Sequence, residues 1–177
     1  MTPHELESAG ERLFGENWKG LIADALGIDA STRWRMLQRG KIPGPVAAAV
    51  TSWLVLHGAF GILPPFKPMG PYRTEDGKNL GLISEDDSLD IGQMAESIFG
   101  EHWKTALSEH LGVNYSTLWR QMDAGEYPAP VIVALRAWQL LFDLEEPIPS
   151  PESKTETGKQ TSQKKPKASK YAKLMSD

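Results

Sequence analysis

The chain has 177 residues and no cysteine. Disulfide frameworks, thiol nucleophiles and thiolate metal sites are therefore excluded, and a reducing interior fits. Histidine is scarce. His4, His57, His102 and His110 are scattered, and no pair has metal-ligand spacing. No GxxxxGK loop and no GxGxxG after a strand occurs, and the carboxylates form no pattern. These gaps point to a protein that is not an enzyme and needs no cofactor or metal. The first residues lack the basic segment and apolar run of a signal peptide, so a cytoplasmic location is expected. Residues 46–63 are long enough for a membrane span, but Thr51, Ser52, His57 and Gly58 interrupt them. We expect a core helix there, and no membrane partner. The sequon Asn114-Tyr115-Ser116 reads better as a helix cap than as a glycosylation site.

What the chain does have is a repeat. Residues 14–53 recur 85 positions later, and between positions 11 and 56 there are 19 identities in 46 residues. The six tryptophans fall three to a copy, as Trp18 with Trp103, Trp34 with Trp119 and Trp53 with Trp138. The period is too long for a solenoid unit, so we read a tandem duplication of a small helical domain. The fold class expected is all-α, with two tandem bundles of four short helices each. The first domain covers residues 1–58, a Pro/Gly-rich linker 59–87, the second domain 88–146, and a disordered Lys-rich tail 147–177. Each domain is near the lower size limit for a self-sustaining core. The linker is long enough to leave the two domains independent. Pro64, Pro65, Pro68 and Pro71 exclude a long helix or central strand within it.

Net charge is −4, but its distribution is uneven. Residues 1–60 hold six acidic and six basic groups, the second copy is acidic, and residues 151–177 carry seven lysines against three acidic residues. The tail is too poor in apolar residues to offset its ordering entropy. It suits loose phosphate contact or solubility.

Local signals fix several boundaries. Thr2-Pro3-His4-Glu5 has the makings of a capping box with proline at the first helical position. Gly15 should end that helix, Asn17 should cap the second, and Gly27 should stop it in a left-handed conformation. Asp29 or Ser31 should cap the third. On this third helix Trp34 and Leu37 are expected to face the core, as the other tryptophans do. Ser31, Thr32, Arg35, Met36 and Arg39 then face outward, with Arg33 at the edge. Pro43 and Pro45 lead into a nearly wholly apolar fourth helix ending at about His57.

The pattern LIADALG-IDA-STRWRMLQRG, matched by TALSEHLG-VNY-STLWRQMDAG, resembles the helix-turn-helix of lambda-repressor/Cro-like (XRE-type) DNA-binding proteins. The resemblance covers roughly one-third of the chain in each copy and implies that the third helix of each set lies in the major groove. The partner implied is double-stranded DNA, with a homodimer compatible. The function implied is transcriptional regulation of bacterial or phage type, in the nucleoid. Arg33 or Arg35 would read bases, because the guanidinium fork meets the two acceptors of guanine. Ser31, Thr32, Arg39 and Lys41 would position the backbone, beside Met36. In the second copy the basic set becomes Leu118, Arg120, Ala124 and Glu126, leaving Ser116, Thr117, Arg120 and Gln121 as readers. Unequal duty follows: the first copy reads DNA, and the second is open to a protein partner through exposed Tyr115, Leu118 and Tyr127. The alternatives are an interaction protein, such as an antiactivator or RNA-polymerase adaptor, and a phage packaging or recombination accessory.

Overall fold

The computed structural model describes residues 1–64, the backbone of 72–73 and 79–80, and residues 91–123 and 128–149. The disordered tail expected from the sequence, most of the linker, and Tyr127 lie outside the described residues. What is described is all-helical apart from one two-residue bridge. The first copy supplies α1 (Pro3–Phe14), a 3-10 turn (Gly15–Asn17), α2 (Trp18–Leu26), α3 (Ala30–Gln38) and α4 (Gly44–Phe60). The second supplies α5 (Ile91–Phe99), α6 (Trp103–Leu111), α7 (Tyr115–Asp123) and α8 (Ala129–Asp143). Between them β1 (Tyr72–Arg73) pairs antiparallel with β2 (Asn79–Leu80).

The helix ends follow from short-range chemistry. At α1 the Thr2 hydroxyl accepts from the Glu5 N–H at 3.2 Å, and the Glu5 carboxylate accepts from the Thr2 N–H at 2.6 Å. This is the expected capping box, with Pro3 at the first helical position. Asn17 stands at the start of α2, but its side chain makes no capping bond there, contrary to expectation. The 3-10 turn feeds α2 directly, with the Trp18 N–H donating to the Gly15 carbonyl. The fourth helix runs past His57 to Phe60, where Gly61 stops it at φ 67°, ψ 14°.

Each copy closes around a matched aromatic pair. Phe14 meets Trp53 edge to face with centroids 6.5 Å apart, and Phe99 meets Trp138 the same way at 5.7 Å. Trp53 and Trp138 are almost completely buried, as expected of core tryptophans. The inner face of α1 is shaped for its neighbour: a Cβ added at Gly10 would come within 2.4 Å of the Trp18 ring. At the matching place the second copy has Ala95, and Trp103 is only half-buried.

The two copies are not separate. Val46, Val50 and Trp53 of α4 belong to one continuous core with Leu135, Trp138 and Leu141 of α8. Among the described residues α4 and α8 pack more extensively than any other two elements. It is flanked by α2 against α8 and by α6 against α4, so the contacts respect exchange of the copies. The physical reason lies in α4 itself. A helix that is apolar around its whole circumference must be covered on all sides, and three short neighbours cannot do that alone. The copies come very close at the start of α4, where a Cβ added to Gly44 would fall 1.8 Å from the Leu111 carbonyl oxygen. Among the described residues no helix is long and apolar enough to cross a membrane.

Candidate nucleic-acid interface

The third helix of the first copy is set up by two backbone devices. Gly27 adopts φ 63°, ψ 34°, and the Ile28 N–H donates back to the Ala23 carbonyl at 3.0 Å, which ends α2 tightly. Two residues later Asp29 is extended and its carboxylate accepts from the Thr32 N–H at 2.8 Å. After α3, Gly40 turns the chain at φ 67° and Ile42 plugs into the core. The second copy repeats the device with Gly112 at φ 59°, the Val113 N–H donating to the Ser108 carbonyl at 3.0 Å, and Asn114 at the cap.

The rotation of α3 about its axis differs from the expected one. Met36, expected on the outward face, is buried, and Leu37 is half-buried beside it. Trp34, expected in the core, is 60% exposed, and its counterpart Trp119 on α7 is 39% exposed. Arg33 does not stand ready to read bases. Its guanidinium turns back and donates to the Lys19 carbonyl, and its Nε is buried without a partner. The matching residue Leu118, expected at an exposed protein interface, is buried. One position that holds arginine in one copy and leucine in the other faces inward in both. The arginine runs its stem along the core and donates from its guanidinium to the Lys19 carbonyl, keeping the polar head toward the rim as long basic side chains do.

Ser31 and Thr32 are also committed differently. Both hydroxyls donate to the Asp29 carboxylate, Thr32 at 2.7 Å. These bonds, Ser31's first, with the Thr32 N–H, hold the Asp29 carboxyl well below the ordinary carboxylate range. The two hydroxyls keep acceptor capacity but not the phosphate-donor role expected of them.

What remains outward is Trp34, Arg35 and Gln38 on α3, with Arg39 at its C-cap and Lys41 just beyond. Arg35 donates to the Ser31 hydroxyl at 3.1 Å, which lays its guanidinium along the first turn. No acidic side chain occurs on α3 itself. Trp34 and Gln38 are the residues that the sequence reading missed. Comparing the copies gives no signal for them, since position 34 is tryptophan in both and position 36 is methionine in one and glutamine in the other.

On α7 the outward set is Tyr115, Ser116, Thr117, Trp119 and Arg120, with Gln121 half-buried in the place of Met36. Ser116 donates from its hydroxyl to the Asn114 side chain at 2.6 Å, and Arg120 Nε donates to the Ser116 carbonyl at 3.2 Å. Lys104 Nζ lies 4.1 Å from the Trp119 ring centroid and 5.5 Å from that of Trp103, covering the aromatic with a cation. In the first copy Lys19 lies over Trp18 at 5.8 Å instead, and Trp34 stays open. No family model matches the chain, and neither the curated proteins nor the solved structures contain a match to it.

Proposed function

We propose that the chain is a sequence-specific double-stranded DNA-binding regulator of transcription, acting chiefly through α3 of the first copy as a helix-turn-helix recognition helix. The observation that carries this reading is the outward face of α3, where Arg35 and Arg39 flank Trp34 and Gln38 with no carboxylate among them. Such a face offers guanidinium forks for guanine, an amide for adenine and an apolar surface for the thymine methyl group. The tight Gly27–Asp29 turn sets α3 against α2 rigidly, which favours a fixed presentation to a groove. Arg35 is the base reader in this proposal, and Arg39 and Lys41 pair with phosphates. Arg33 and Met36 are withdrawn from the contact set, and Ser31 and Thr32 serve the cap.

The second copy is the weaker reader, since Arg120 stands alone on α7 within an acidic domain, where a phosphate backbone is repelled. Because the copies share one core, two reading heads would sit at a fixed separation. If both heads engage, half-sites about 10 base pairs apart, or a multiple, are expected. Selection of binding sites from random duplex DNA tests the proposal.

A second reading has its own observation. Tyr115 is 47% exposed and Trp119 39% exposed on one helix of the acidic copy. Aromatics of this kind are enriched at protein interfaces, and a protein partner on the second copy is compatible with DNA binding by the first.

A further inference from the structure

The seam between the copies holds a cavity of about 180 Å³. Trp53, Leu56 and Ala25 form its first-copy wall, and Val133, Ala137 and Leu140 of α8 form the other. Segment 62–64 borders it, and Arg136 is the one charged residue in its lining. A cavity of roughly 150 Å³ lined by apolar side chains is enough to hold one benzene ring. The space is thus large enough for a single-ring molecule.

The repeat shows that the lining of this space differs between the two sides of the seam. The residue matching Ala25 is His110. The His110 ring stands beside the core tryptophan of its copy, 5.9 Å from the Trp138 centroid and 4.9 Å from that of Phe99. Ala25 leaves the corresponding flank of Trp53 open. The residue matching Arg136 is Thr51. Two differences between the copies therefore act together, one clearing the space and the other bringing an arginine into its lining.

We infer that this cavity binds a single-ring organic monocarboxylate, with the ring between Trp53 and α8 and the carboxylate at Arg136. Charge complementarity selects the anion. Arg136 already has a contact within the chain, but a guanidinium carries five N–H donors and takes carboxylates through two of them at once. The site is independent of the DNA reading, and its test uses no DNA.

The full chain labelled with 5-fluorotryptophan gives one fluorine resonance per tryptophan, and Trp53→Phe identifies that of Trp53. Benzoate is titrated as the probe, with toluene as its uncharged counterpart. A saturable shift of the Trp53 resonance with benzoate, weaker by about tenfold or more in Arg136→Thr, is expected from the loss of one charge-assisted contact. Ala25→His, which borrows the filler of the second copy, should abolish the shift with its other five resonances retained. Absence of a saturable Trp53 shift with benzoate would overturn the proposal. So would equal benzoate binding in Arg136→Thr, or toluene binding as tight as benzoate, since either removes the carboxylate from recognition.

Discussion

The backbone of Gly44 rests against the Leu111 carbonyl so closely that a single added methyl group would fall 1.8 Å from its oxygen. Gly44 opens α4 and Leu111 closes α6, so this contact joins the two copies. Neither atom belongs to a flexible side chain, and the seam itself must open to admit a methyl. Gly44→Ala is therefore expected to lower stability by about 1–3 kcal/mol, the usual cost of overpacking. Urea denaturation followed by tryptophan fluorescence checks this, and an unchanged midpoint would mean the copies do not bear on each other here. Alanine already stands at the matching position, Ala129, so the close fit belongs to one side of the seam only.

Much of the fold was legible before the structure. The Thr2–Glu5 box, the Gly27 stop and the Asp29 cap are local devices whose residues name their own geometry. The matched tryptophans Trp53 and Trp138 announced the two aromatic centres. Two things were not read. One was the seam: α4 is apolar on all faces, which already implied cover from outside its own copy, but a long linker is silent on docking. The other was the rotation of α3. A helix of nine residues with Trp34, Met36 and Leu37 all apolar permits two inward lines that differ by about a quarter-turn. The choice was made by packing: Met36 and Leu37 fill the core, and the bulkier Trp34 is left outside. Of the expected readers, Arg35, Arg39 and Lys41 are outward in the first copy, while Arg33 and Met36 are not.

The two tryptophans of the first copy that lie farthest apart in environment should separate stability from surface function. Trp53→Ala removes a buried ring and is expected to cost about 3–5 kcal/mol. Trp34→Ala removes a ring that is 60% exposed and should stay within about 0.5 kcal/mol of the parent. If DNA binding resides on α3, Trp34→Ala should nonetheless weaken it. Thermal unfolding of the two variants measures the first contrast, and a destabilisation by Trp34→Ala as large as that of Trp53→Ala would place Trp34 in the core after all.

Asp29 gives a pH signature. Its carboxyl is held below the ordinary range by the Ser31 and Thr32 hydroxyls and the Thr32 N–H. A depressed acid contributes stability above its unfolded pKa, about 3.9, and that contribution fades as pH falls below this value. Asp29→Asn keeps a side-chain acceptor at the cap, as Asn114 does in the second copy, but loses the charge. The gap in melting temperature between parent and variant should therefore be widest near neutrality and shrink between pH 4 and the acid end. A gap that stays constant down to pH 2 would show that the Asp29 charge is not what holds the turn.

The most direct test of the regulator reading is site selection from random duplex DNA at moderate salt, run in parallel with the parent chain and with Arg35→Ala. The account predicts that the parent enriches a defined motif, while Arg35→Ala loses preference at one base-pair position and retains weak, salt-sensitive binding through Arg39 and Lys41. Enrichment of nothing by the parent, or the same motif from Arg35→Ala at equal affinity, would contradict it.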